Sequence, residues 1–257
     1  MNDRFNQIGF SQRIRLEWLE ATANLVLAEN DEASIHRALK TMLQEKLSIG
    51  GEAKRGTREK AISILKKIWV HPPQDLQPLQ IKGLRLLSTL PPEEFIAVHW
   101  GMTMAVYPFW GAVAAQVGRL LRLQGMAAAA QVQRRVREEF GERETVSRAT
   151  RRVLRCFIDW GVLKETPEKG VYAQGIVRAI DYPPLIAWLT EAFLHAHPNG
   201  SVDLRMALDA TNLFPFRLGP ISAEHLVALS GRLDLLRHGL DEELIILRTD
   251  NIKSINN

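Results

Sequence analysis

Apolar residues recur at helical spacing through the first third of the chain. Ile14, Leu16, Trp18, Leu19, Ala23, Leu25 and Val26 predict a helix capped by Ser11 and running to about Ala28. Ile35, Leu39, Met42, Leu43 and Leu47 predict a second helix after Asp31. Thr57 suits the N-cap of a third, through about Val70, which His71-Pro72-Pro73 ends. A fourth spans about Pro78 to Leu90 and stops at Pro91-Pro92. Pro108 divides the next apolar stretch into helices over about Glu93–Val106 and Phe109–Gln124. From Met126 to Phe140, Ala129, Val132, Val136 and Phe140 form one stripe, and Gly141 breaks the helix they predict. Val146 to Trp160 is helical again, and Val162–Glu165 and Val171–Gln174 read as short strands about the turn residues Thr166 to Gly170. Asp181 to His197 is apolar nearly all round, which predicts a buried helix. After the turn Pro198–Ser201 come a short helix over about Val202–Ala210 and the irregular Phe214-Pro215-Phe216. A long helix capped by Ser222 follows, carrying Leu226, Leu229, Leu233 and Leu236, then a terminal strand over Glu243–Arg248. The fold class is mainly α: an N-terminal helical region (1–92), a central unit with a small β-hairpin (93–175) and a C-terminal helical region (176–257).

The segment from Val146 to Trp160 divides its chemistry most sharply. At 100° per residue, Val146, Ala149, Val153, Cys156, Phe157 and Trp160 gather on one side, and Arg148, Arg151, Arg152 and Arg155 on the other. The chain as a whole carries a formal +4. Between Arg119 and Arg155 stand 10 arginines and 4 acids, so this segment holds +6 and the remainder −2. Arginine suits bidentate contact with phosphate and guanine; the same face is also compatible with a solvated surface paired to Glu138 and Glu139.

The order helix, short turn, basic amphipathic helix, β-hairpin resembles a winged helix-turn-helix over about residues 109–175. The resemblance is one of pattern, without an invariant residue. It implies a double-stranded DNA partner, with the second helix of the turn in the major groove and the hairpin wing on backbone or a neighbouring groove. By position, Ser147, Arg148, Arg151, Arg152 and Arg155 then face DNA, Lys169 sits on the wing, and Arg134 and Arg135 add to the basic surface. Asp159 on the arginine side and Glu165 and Glu168 on the wing depart from the pattern, since each repels phosphate. A helical start before such a centre is also faintly similar to the BrxA family of small BREX phage-defence proteins. The expected function is non-enzymatic DNA binding, by a transcription regulator or by the DNA-contacting subunit of a larger bacterial complex. A protein–protein scaffold and an RNA-binding protein are the alternatives, though no RNA-recognition motif is present.

The remaining signals narrow these classes. Residues 96–118 carry no formal charge, long enough to span a bilayer, but Pro108, Gly101 and Gly111 interrupt the stretch, and two core helices account for it without a membrane. One cysteine excludes an internal disulfide and suits a reducing cytoplasm; no secretory leader pattern opens the chain. Lys54, Arg55, Arg58 and Lys60 around the third helix start form a possible accessory anion site, although the Walker order is missing. His195 and His197 lack further metal ligands in sequence, and Asp203, Asp209, Glu242 and Glu243 read as surface carboxylates. No nucleophile, metalloprotease or dinucleotide motif occurs, so neither an enzyme nor a cofactor is expected.

Overall fold

A computed structural model describes residues 3–44, 46–47, 56–238 and 242–248. The N-terminal region is helical throughout: α1 (Leu16–Leu27), α2 (Glu32–Gln44), α3 (Thr57–Trp69) and α4 (Gln77–Thr89), with a 3-10 turn at Gln74–Leu76. Asp31 caps α2, its carboxylate accepting from the Ser34 N–H at 3.0 Å. Two expected caps move. Gly56, not Thr57, is the N-cap of α3. Ser11 caps nothing, and α1 starts after an extended Arg15. The physical reason lies elsewhere in the chain: the Ile14 N–H donates to Cys156 Sγ at 3.2 Å and its carbonyl accepts from Trp160 Nε1 at 3.0 Å. These tertiary bonds hold the segment before Arg15 extended and bury Phe10 and Ile14 completely.

The uncharged stretch forms α5 (Phe95–Val106) and α6 (Pro108–Gln124), with Pro108 in the first turn of α6, where its missing N–H costs no helical bond. Every residue of α5 after Phe95 is buried, because α1, α3, α4, α6 and α9 (Pro183–Ala196) all pack on it. Among the described residues no helix is long and apolar enough to cross a membrane. Trp100 and Trp110 lie fully buried in an aromatic cluster, with Trp100 stacked on Phe157 at 4.9 Å and Trp110 edge-on to it at 4.8 Å.

The central unit continues with β1 (Met126–Ala128), α7 (Ala129–Phe140), α8 (Glu144–Asp159), β2 (Leu163–Glu165) and β3 (Val171–Gln174). The helix expected from Met126 begins only at Ala129, because residues 126–128 pair antiparallel with β3. The hairpin is therefore part of a three-stranded sheet of order β1-β3-β2.

The C-terminal region departs furthest from the sequence reading. It is mixed rather than helical, with β4 (Arg178–Ile180) beside β6 (Phe216–Leu218), and β5 (Ser201–Asp203), β8 (Glu242–Leu247) and β7 (Leu233–His238) forming a second three-stranded sheet. The helix expected from Val202 is β5 followed by the short α10 (Leu204–Leu208), which Asp203 caps through the N–H groups of Arg205 and Met206. Ser222 does cap α11, but α11 (Ala223–Leu229) ends before Ser230-Gly231. Leu233 and Leu236 belong instead to β7, with Leu233 buried and Leu236 half exposed. α9 is buried on nearly all sides, as its composition predicts, and shelters Glu191, whose Oε2 accepts from Ser230 at 2.8 Å and lies 3.3 Å from Lys82 Nζ. Buried apolar side chains from Phe10 to Ile245 join one contiguous cluster.

Candidate nucleic-acid interface

α8 owes its orientation to its apolar face. Val146, Val153, Cys156 and Phe157 are fully buried, together with Ala149, Thr150 and Leu154, against α6 and α7. The expected basic face is thereby turned outward. The side chains of Arg148, Arg151 and Arg155 are 55, 57 and 52 % exposed, which leaves their guanidinium groups accessible to a polyanion. They follow one another at steps of three and four residues, so they line one side of the helix. Ser147 is half-buried.

Acids answer this row from both ends. Glu144 Oε1 lies 3.2 Å from Arg151 Nη2 and 3.7 Å from Arg148 Nε. Arg155 donates to Glu165 of β2 at 2.7 Å, tying the helix to the hairpin. Asp159, expected to oppose phosphate, is neutralised by Arg13. Arg13 is not apparent in the sequence as part of this surface, because 146 residues separate it from its partner. Arg152 differs from its neighbours: it is half-buried and donates to the carbonyl oxygen of Ser11. Burial first, then Arg148 and Arg151, pull its pKa below the usual arginine value. Its role is to fasten the extended segment to α8, and it is less available to a ligand than sequence position implies.

The hairpin is hydrogen-bonded to the start of α7 and to β1. Its turn residue Gly170 has φ +82°, a left-handed conformation that favours glycine, and its carbonyl accepts from the Ala129 N–H of α7 at 2.8 Å. Lys169 is exposed on this turn beside Glu168. On α7, Arg134 is exposed 3.8 Å from Glu138, whereas Arg135 is half-buried with Nε lacking an acceptor among the described residues. From Arg143 to Lys169 seven basic residues face four acidic ones, so the surface stays cationic after its pairings.

The other sequence candidates separate from this unit. Lys54 and Arg55 lie outside the described residues; Arg58 is half-buried and reaches the Gln44 carbonyl at 3.4 Å, and Lys60 is exposed. Asp209 pairs with Arg122 at 2.7 Å. Cys156 is buried, and desolvation pushes its thiol up to about 12, which keeps it un-ionised and unreactive at neutral pH. Among the described residues no group of three or more His, Cys, Asp or Glu side chains is placed to hold a metal ion. Comparison of the chain with protein-family models, curated proteins and solved structures gives no match.

Proposed function

We propose that this chain binds double-stranded DNA without catalysing a reaction, through the exposed arginine row of α8 and the adjoining hairpin, in the manner of a winged helix-turn-helix. The observation that carries the reading is the division of α8: one face wholly buried, the other presenting Arg148, Arg151 and Arg155 more than half exposed. A helix held in this way can enter a groove without disturbing its core, and each arginine can exchange an intramolecular carboxylate for a phosphate or a guanine edge. β1 between the preceding helices and its pairing with the hairpin support the same reading, since the sheet fixes the hairpin beside α8. A transcription regulator and a DNA-contacting subunit of a larger complex, such as a BREX-like defence complex, both fit.

One observation favours a second reading. Glu144 and Glu165 already engage the three exposed arginines, as expected of a solvated scaffold surface. The two readings separate in a fluorescence-anisotropy titration of a labelled duplex at several salt concentrations. Wild-type protein should bind with an affinity that falls steeply with salt. Arg148→Ala/Arg151→Ala should weaken binding and reduce the slope of log K against log salt by about 0.9 for each phosphate that is no longer neutralised. Unchanged affinity and slope in this variant would put the scaffold reading first, and preference for RNA over duplex would replace the DNA partner.

A further inference from the structure

The extended segment before α1 runs beside the arginine row of α8, in the same direction. Arg152 donates to the Ser11 carbonyl oxygen, and Asp159 accepts from both Nε and Nη2 of Arg13. The N–H and carbonyl of Ile14 meet Cys156 and Trp160. These bonds fix which side of the segment faces the protein. Side chains alternate along extended backbone, and here Gln12 and Ile14 are buried while Arg13 and Arg15 are exposed. Arg13 and Arg15 therefore project on one side. The Arg13–Asp159 pair sets that side beside α8, because Asp159 follows Arg155 by four residues and shares its face of the helix. Arg15 comes just after Ile14, whose carbonyl meets Trp160 at the C-cap of α8, so it stands at the C-terminal end of the row. The two arginines differ in pairing. Arg13 adds no net charge but covers a carboxylate on the arginine side. Arg15 makes no ion pair among the described residues; its guanidinium lies 6.0 Å from the Trp18 ring centre. Glu17, whose pKa is depressed by Lys46 first and by Arg15 to a lesser degree, is engaged by Lys46 at 2.9 Å.

We propose that the segment Ser11–Arg15 belongs to the DNA surface: Arg15 contacts a backbone phosphate beyond the end of the α8 row, and Arg13 keeps Asp159 from repelling the same strand. The inference rests on the DNA reading of α8 and extends it to the opposite end of the chain. The length of the row decides between phosphate and base. At a rise of about 1.5 Å per residue, Arg148 to Arg155 covers about 10 Å, close to the width of a major groove at about 12 Å. A cation past the end of such a row meets the phosphates that border the groove rather than the base edges within it. Arg13 acts through Asp159 and is a positioning residue: without it an acid would stand one helical turn from Arg155, facing the same polyanion.

Salt-dependent anisotropy titrations of the full chain against labelled duplexes of two unrelated sequences test the proposal. Arg15→Gln should reduce the slope of log K against log salt by about 0.9 on both duplexes, as the loss of one phosphate contact requires. Arg15→Lys, which keeps the charge, should keep the wild-type slope. The melting temperature should not move in either variant, because Arg15 is exposed and makes no ion pair among the described residues. Arg13→Gln should weaken binding more than Arg15→Gln does, since it both removes a cation and uncovers Asp159. Arg13→Gln/Asp159→Asn should recover most of the wild-type affinity. An unchanged slope in Arg15→Gln, while Arg148→Ala/Arg151→Ala loses affinity and slope, would overturn the phosphate contact and leave the reading of α8 standing. Failure of the double variant to recover affinity would overturn the role given to Arg13, whose bond would then serve only to hold the segment. Absence of salt-dependent duplex binding by the wild-type chain would remove this inference and the reading of α8 together.

Discussion

His99 is completely buried in α5, where its Nδ1 accepts from Trp69 Nε1 at 3.1 Å and Nε2 has no partner among the described residues. Desolvation lowers its pKa to about 3, and burial lowers that of His195 to about 4. Below the ordinary histidine value near 6.5 the unfolded chain takes up protons that the folded chain refuses. Stability should therefore fall as pH drops from about 6.5 towards 4, by at most about 1.4 kcal/mol per pH unit for each such histidine. Denaturant titrations across that range check this, and His99→Gln, which keeps an acceptor for Trp69, should remove one histidine's share of the slope. Two further residues have single, definite roles. Phe157 stacks on Trp100 and meets Trp110, so Phe157→Ala should cost roughly 3–5 kcal/mol through the cavity it leaves. Cys156, un-ionised and fully buried, should resist iodoacetamide at pH 8 in the folded protein and react on unfolding.

α8 illustrates how far an element can be read from its own residues. Its apolar and arginine positions repeat at the helical period, so both faces, and the hairpin after it, follow from local pattern. The pairing of the arginines with Glu144 is nearly as local, at four and seven residues. That pairing yields a prediction at this scale: Glu144→Gln should release Arg148 and Arg151 and tighten DNA binding, an increase in affinity that anisotropy would register. No change, or weaker binding, would mean that the row does not meet phosphate. Arg152 shows the limit of such reading. Its place on the helix is legible, but its bond to the Ser11 carbonyl crosses 141 residues. The same long-range bonds override the helical spacing that begins at Ile14.

At the scale of the whole molecule, α6 and the segment around Thr211–Leu213 approach so closely that only glycine fits at position 118. A Cβ there would stand 2.0 Å from the Thr211 carbonyl oxygen and 2.8 Å from Phe214 Cβ. Gly118→Ala must therefore push backbone apart, with an expected loss of about 1–3 kcal/mol or more, measurable as a lowered melting temperature. The consequence extends beyond this approach, since Trp100 Nε1 donates to the Asn212 carbonyl and Phe214 packs on both Trp100 and Phe157. The C-terminal region thus buttresses the aromatic cluster beneath α8.

By itself the sequence determined the helices of the first 160 residues to within a few positions, the outward turn of Arg148, Arg151 and Arg155 and the hairpin at Gly170. Each rests on local physics: a hydrophobic period, a proline that stops a helix, a glycine that accepts a left-handed turn. Tertiary structure decided which apolar runs became strands. Met126–Ala128, Ser201–Asp203 and Leu233–His238 each gain their hydrogen bonds from partners outside their own segment, and in segments this short periodicity cannot separate strand from helix. It also decided the ionic setting of the candidate interface through Arg13 and Arg152, and it brought Arg4 against the His195 carbonyl oxygen across 191 residues. Charge–charge and donor–acceptor pairings depend on distance in space, which spacing in sequence constrains only within one element.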